Sequence, residues 1–278
     1  MRAILPHRVR APRTRVRTSR TRVRGLRTRV RGSPTSDGYH APMSERLYFR
    51  QLLSGRDFAV GDPVATQMRN FTYLIGDRDT REAVIVDPAY AVDDLVNVLS
   101  DDDMRLVGVL ATHHHPDHVG GDLLGFSLPG VAELLAHVQV PVHVAAAELE
   151  WVRRTTGVSK TDLVAHDHDD RLDIGAVSLR LLHTPGHTPG SQCFLLDGAL
   201  IAGDTLFLDG CGRTDLPGGD VDAMYRSLQW LANLPGDPVV YPGHWYSAEP
   251  SASLSNVRRD NVVFRPRSLE QWRTMFGG

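Results

Sequence analysis

Four imidazoles and one carboxylate fall within seven residues, Thr112-His113-His114-His115-Pro116-Asp117-His118. These are donor types that suit zinc, iron and manganese. His113 and His115 stand two apart on chain that is still near-extended, so their side chains point the same way. His114 points the other way and is not expected to be a ligand. Pro116 stops the extended run, and Asp117 and His118 face the same cavity from the start of a following helix. The stretch therefore supplies two pairs of donors, His113 with His115 and Asp117 with His118. Two metals side by side suit that layout better than one.

Three later segments share one pattern: an apolar run, small or turn-forming residues, then a donor. Leu182-His183-Thr184-Pro185-Gly186-His187 delivers an imidazole through a Pro-Gly turn. Leu200-Ile201-Ala202-Gly203-Asp204 delivers a carboxylate, with glycine just before it as close backbone packing near an ion requires. Val239-Val240-Tyr241-Pro242-Gly243-His244 delivers the last imidazole. A single His or Asp at a strand end is common and says little. Seven donors together match what two metals need when one carboxylate bridges them.

Strands must carry these donors. Leu106–Ala111, just ahead of the histidine cluster, is a short branched apolar run, too short for a helix. The cluster thus sits at the rim of a sheet, where loops converge without breaking strand pairing. Asn70–Ile75 and Ala83–Pro88 read as a hairpin across a charged turn, and Val142–Val144, Ala176–Leu182 and Pro238–Tyr241 as further strands. Cys193–Leu196 and Ala199–Ala202 form a hairpin around Asp197-Gly198. Helical spacing marks Val92–Leu99, Val131–Val138, Ala145–Arg153 and Asp220–Leu231. Mixed strands and helices with no linker predict one α/β domain over residues 43–278.

Composition is that of a globular chain, 41% hydrophobic and 23% charged. Cys193 and Cys211 make no CxxC pair and no disulfide framework, so a reducing, cytoplasmic setting is expected. No apolar run approaches the ~18 residues that span a bilayer, so no membrane association is expected. The net charge of −2 hides an asymmetry: residues 1–42 hold twelve arginines and one acid, a net of +11, which leaves −13 on the rest. Within that tail Thr14-Arg15-Val16-Arg17 recurs at Thr21 and Thr28. One valine per seven residues gives no apolar face to bury, so disorder is expected. Nucleic-acid or anionic-surface binding and an organellar transit role are both compatible with the arginines. The favoured expectation is a segment upstream of a start at Met43, where ordinary globular sequence opens.

The HxHxDH run followed by a distant His, Asp and His resembles the signature of the metallo-β-lactamase fold superfamily, over roughly Asn70 to Tyr246. The resemblance implies a four-layer αββα sandwich with the site at one edge of its two sheets. It implies one metal on His113, His115 and His187, a second on Asp117, His118 and His244, and Asp204 bridging. Two bridged metals activate a water as nucleophile, with Asp117 orienting or deprotonating it. The sequence offers no G-x-S-x-G for a serine mechanism. Class B β-lactamases usually place a Cys after the third His, where this chain has Gly203-Asp204-Thr205-Leu206-Phe207, which speaks against lactam hydrolysis. That stretch, with Gly210-Cys211-Gly212-Arg213-Thr214-Asp215, is similar to glyoxalase II-type thioesterases and to persulfide dioxygenases.

The leading expectation is a two-zinc hydrolase, with iron or manganese as other ions for the same donors, acting on a thioester of glutathione or a similar small thiol. Arg213 is the expected substrate-binding cation, with Arg258 and Arg259 as further candidates that a solvated surface explains equally well. Only 34 residues follow His244, too few for the helical region with which glyoxalase II grips glutathione. The alternative is a persulfide dioxygenase with a single iron on His113, His187 and Asp204. A nucleic-acid-processing enzyme is a third reading, disfavoured by the −13 balance. The oligomeric state stays open, a homodimer being one option. Of the remaining histidines, His166 and His168 are expected in a solvated loop, His137 and His143 in structural positions, and His183 as a residue that orients a ligand.

Overall fold

The computed structural model describes residues 44–277; the expectations for residues 1–42 and for a start at Met43 lie outside the described residues. The strands in chain order are β1 (Leu47–Leu53), β2 (Phe71–Asp77), β3 (Glu82–Val86), β4 (Arg105–Leu110), β5 (Gly121–Leu123), β6 (Phe126–Leu128) and β7 (Val142–Ala145). They continue as β8 (Leu163–His166), β9 (Asp170–Ile174), β10 (Val177–His183), β11 (Gln192–Leu196), β12 (Ala199–Gly203), β13 (Val239–Pro242) and β14 (Ala252–Ser253). The helices are α1 (Pro63–Met68), α2 (Val92–Asp101), α3 (Pro116–Val119), α4 (Val131–His137), α5 (Leu149–Thr156), α6 (Val221–Leu231), α7 (Leu254–Asp260) and α8 (Leu269–Phe276).

Two six-stranded sheets form, ordered β1-β2-β3-β4-β7-β8 and β14-β13-β12-β11-β10-β9, and β5 pairs β6 as a separate hairpin. Each large sheet is covered on both faces, so its central strands read as nearly continuous apolar runs. Along β3 the pleat sends Val84 and Val86 to the core between the sheets, and Ala83 and Ile85 to the outer core under the helices. Residues from both sheets, among them Ile75, Leu110, Leu181 and Phe194, fill the inner core. Leu95, Leu99, Leu134 and Val152 pack α2, α4 and α5 on one outer face, and Met224, Leu228, Val257 and Trp272 pack α6, α7 and α8 on the other. The result is the four-layer αββα sandwich that the resemblance implies.

The central strands and most helices stand where their periodicity places them. Two expectations change. The helix expected over 145–153 divides into a tight turn at Ala146–Glu148 and α5, which begins at Leu149. His166 ends the strand β8 rather than lying in a loop, and the residues after the expected loop form the strand β9. Both β8 and β9 are sheet edges with one solvent-facing side, and an edge strand rich in Asp and Arg has a loop's composition. No described helix is long and apolar enough to cross a membrane.

At the rim where β4, β10, β12 and β13 end, the two sheets are tied together. Asn70 and His244 form an isolated antiparallel bridge, Phe71 N–H donates to the Gly243 carbonyl at 2.8 Å, and Trp245 N–H donates to the Arg69 carbonyl at 2.9 Å. Side chains leaving either sheet therefore meet over one spot.

Candidate metal centre

All seven expected donors converge at that rim. His113, His118, His187 and His244 are buried, as are Asp117 and Asp204, while His115 is half-buried. They form three overlapping groups whose donor atoms all lie within 4.8 Å of one another: His113 with His115 and His187, His113 with His118 and Asp204, and Asp117 with His118 and His244. His115 Nδ1 lies 3.0 Å from both His113 Nε2 and His187 Nε2. His118 Nε2 lies 3.2 Å from His244 Nε2. Asp204 reaches both sides: its Oδ1 is 3.4 Å from His118 Nε2, and its Oδ2 is 3.4 Å from His244 Nε2 and 3.7 Å from His187 Nε2.

Backbone geometry makes this approach possible. Gly203 holds φ +48°, and a Cβ there would stand 2.7 Å from Thr112 Cβ, so only glycine lets β12 turn Asp204 inward beside the histidine loop. A Cβ at Gly243 would meet Asp204 Oδ1 at 2.3 Å. Pro116 opens α3 at the position where a missing N–H costs nothing, and this aims Asp117 and His118 back toward β4.

Hydrogen bonds at the outer ring nitrogens fix which nitrogen is free. His187 Nδ1 donates to the Arg213 carbonyl at 2.6 Å and His244 Nδ1 to the Met68 carbonyl at 2.8 Å. His118 Nδ1 donates to Asp87 Oδ2 at 2.9 Å. The Thr112 hydroxyl donates to Asp87 Oδ2 at 2.7 Å, so it accepts from His113 Nδ1 at 3.0 Å. With the outer nitrogens protonated, the inner ones turn lone pairs on one another. Such an arrangement is repulsive unless protons or a cation stand between them. Asn70 offers an amide N–H₂ to Asp117 Oδ2, His118 Nε2 and His244 Nε2 at 3.1, 3.3 and 3.4 Å, two protons for three acceptors. Asp204 Oδ1 is buried and finds no hydrogen-bond partner among the described residues. The donor set fits metal ions.

Charge divides the centre in two. Burial pushes His113 well below the ordinary imidazole range, and its imidazole neighbours add to that. Burial likewise takes His115 down to about 3, with His187 reinforcing the shift. Both are neutral donors at neutral pH. For His118, burial also pushes downward, but the carboxylates of Asp204 and Asp117 overcome it and raise it to about 10. His244 is raised in the same way, burial being outweighed by Asp204. In return the imidazoles of His244 and His118 hold Asp204 below the carboxylate range against its burial, and Asp117 is lowered by the same two rings. The second group demands positive charge at its centre.

Several residues at the site have no signal in donor spacing. Asp87, buried at the end of β3 with φ +56°, accepts from Thr112 N–H and Thr112 Oγ1 and orients His118. An apolar strand ending in a carboxylate is the same pattern that delivers Asp204 and was the available clue. His114 points away from the cluster as expected, and its ring reaches Glu148 Oε1 at 2.5 Å. Glu148, buried in the turn before α5, also accepts from His114 N–H at 2.9 Å and Gly190 N–H at 2.6 Å, which ties the HxHxDH loop to the loop that follows His187. Arg213 lines the cavity; its carbonyl holds His187 while its guanidinium pairs with Asp215.

The other histidines sort simply. His183 Nε2 meets the Pro189 carbonyl at 2.9 Å and so braces the turn that carries His187. His143 and His166 pair at 2.9 Å, and His168 accepts from His183 N–H. His137 is exposed at the end of α4.

A sequence profile of the metallo-beta-lactamase superfamily matches residues 65–244, a span that holds all seven donors. The chain belongs to the metallo-beta-lactamase superfamily. Among its relatives in that superfamily is the protein named "Probable polyketide biosynthesis zinc-dependent hydrolase BaeB" of Bacillus velezensis, 30% identical over 73% of this chain and 85% of the relative. A hydroxyacylglutathione hydrolase of Tolumonas auensis is 34% identical over 74% of this chain and 73% of its own length. The mitochondrial persulfide dioxygenase ETHE1 of Homo sapiens is 35% identical over 69% and 70%. The solved structure of ETHE1 from Myxococcus xanthus superposes with a TM-score of 0.65 at 29% identity, covering 83% of this chain and 90% of that one. The superfamily fold is thereby shown, while the named activities of these relatives differ.

Proposed function

We propose that the protein is a two-zinc hydrolase of a thioester carried by a small thiol, in the manner of hydroxyacylglutathione hydrolases. One observation carries this reading: two groups of inward-facing donors share Asp204, whose Oδ1 is buried without a hydrogen-bond partner and whose Oδ2 lies near both His187 and His244. His113, His115 and His187 would hold one metal, Asp117, His118 and His244 the other, and Asp204 would bridge them. When bound, the metals supply Lewis acidity, polarising the thioester carbonyl and lowering the pKa of a water toward neutrality.

The chain's own residues do the rest. Asp117, kept anionic and steadied by Asn70, orients the attacking water by accepting its hydrogen bond. Arg213 lines the cavity and is placed to meet an anionic group on the thiol carrier. A cytoplasmic setting belongs to the same proposal, since free thiol carriers and two unpaired cysteines both suit a reducing compartment.

A second reading, persulfide dioxygenase with one iron on His113, His187 and Asp204, is favoured by the likeness to ETHE1 in both sequence and structure. Metal analysis of the purified chain with two assays separates them. About two zinc per chain with hydrolysis of S-lactoylglutathione supports the first. One iron per chain with O₂ uptake on glutathione persulfide overturns it.

A further inference from the structure

We propose that the cavity over the metal centre is an acyl-binding subsite, built for a thioester whose acyl group is an aliphatic chain of several carbons; this rests on the thioesterase reading above. The cavity holds about 690 Å³, within the range of small-molecule sites. Beside the donors His115, Asp117, His187, Asp204 and His244, its wall is formed by Met68, Leu123, Leu124, Phe207, Leu216 and Tyr246. Among the described residues that line it, Arg213 is the only Lys or Arg, and its guanidinium already holds Asp215 through Nε at 2.6 Å and Nη2 at 2.5 Å. Asp209 adds a negative charge to the same wall. Arg213 meets one anionic group of a carrier only in exchange for Asp215, and Asp209 repels others, so little of the binding free energy comes from charge. Apolar contact has to supply it.

The hairpin of β5 and β6 is the part of the wall that points to a ligand. Leu124 at its tip is 93% exposed and Phe126 is 59% exposed. Leu124 also sits at φ +53°, a left-handed conformation that a bulky residue rarely adopts. A strained leucine held out in water at the mouth of a catalytic cavity gains nothing within the free chain. It gains burial only when an apolar group occupies the space beneath it. The acyl chain of a substrate whose carbonyl lies at the metal centre would fill that space, and the hairpin would close over it.

The test uses the full chain, metal-loaded, with acetyl, butyryl and hexanoyl thioesters of N-acetylcysteamine, an uncharged thiol. The expected result is a rise in kcat/KM of at least about tenfold from acetyl to hexanoyl, since each buried methylene adds a severalfold gain. Leu124→Ser, at an exposed tip where folding is not at stake, should erase most of that chain-length dependence. Equal kcat/KM across the series, or a Leu124→Ser loss that is the same for all three, would overturn the subsite and leave the thioesterase reading standing. If no thioester turns over, binding of the non-hydrolysable hexanoyl methylene ketone analogue by calorimetry decides separately. Affinity that grows with chain length and falls in Leu124→Ser keeps the subsite while the thioesterase reading fails, and absence of binding removes both.

Discussion

The two halves of the metal centre are built from the same fold edge but solve opposite electrostatic problems. His113, His115 and His187 form an all-imidazole cluster, and burial and imidazole neighbours push His113 and His115 toward the unprotonated state. Asp117, His118 and His244, with Asp204 against them, form a cluster in which anions push both imidazoles toward the protonated state. The first half presents lone pairs with no charge to neutralise. The second is balanced only by protons or by a cation. A hydrolase with two metals needs both halves filled, whereas a one-iron oxygenase needs His113, His187 and Asp204 and can leave Asp117, His118 and His244 without a metal. The contrast between the halves is thus the contrast between the two proposed activities.

The largest expected effect comes from His113, a donor of the imidazole half that also lies against His118 and Asp204. His113→Ala should therefore lower metal content in both halves and reduce kcat/KM by at least about a thousandfold, the several kcal/mol that metal activation supplies. Retention of activity above about a tenth would break the assignment of a shared metal centre. His244→Ala separates the halves. A drop from about two metals per chain to about one, with thioester hydrolysis crippled, is the result expected of the two-zinc enzyme. Unchanged metal content with O₂ uptake largely preserved would instead favour the iron reading. Metal analysis and both assays on the same preparation decide it.

How much of this was legible before the structure follows from the same physics. The seven donors each follow a buried strand, and a buried strand in a two-faced sheet is an apolar run that is hard to mistake, so His113, His187, Asp204 and His244 could be placed by the strands that deliver them. The groups that hold the donors in position were not legible. Asp87, Asn70 and Glu148 act by hydrogen bonds across 31, 48 and 34 residues of chain, and no local spacing marks such a partner. His166, at the end of the edge strand β8, reads as loop because half of that strand faces water, and the hairpin of β5 and β6 leaves no signal because its strands are only three residues long. Sequence periodicity reports burial, so it finds what the core delivers and misses what the rim adds.

Asp87 sharpens the comparison at the next level of effect. It contacts His118 directly, but reaches His113 only through the Thr112 hydroxyl. Asp87→Asn keeps the shape and removes the charge, so the carboxylate-rich half should lose roughly 10–100-fold in metal affinity, the usual cost of removing an outer carboxylate partner. The imidazole half should lose less. Stepwise metal titration of the apo-protein, with the two binding phases resolved, measures both. Equal weakening of the two phases would mean that Asp87 stabilises the rim as a whole instead of orienting one ring.

The smallest effect is also the most direct reading of the charge difference. A metal takes the lone pair of an imidazole, so any proton on that nitrogen must leave. His118 is raised to about 10, so at pH 7.5 its ring is an imidazolium in the metal-free protein, and Asp204 shifts His244 in the same direction. Filling their half should release at least about one proton, that of His118, and its affinity should rise as the pH rises toward 10, because each pH step removes part of that competition. His113 is lowered and His115 lies at about 3, so neither ring has a proton to give up, and their half should release fewer protons and lose less affinity at mildly acidic pH. Calorimetric titration with zinc in buffers of different ionisation enthalpy counts the protons in each phase. Equal release in both phases would break the division into a neutral and a charged half. Release confined to one phase would identify that phase as the half built on Asp117, His118 and His244.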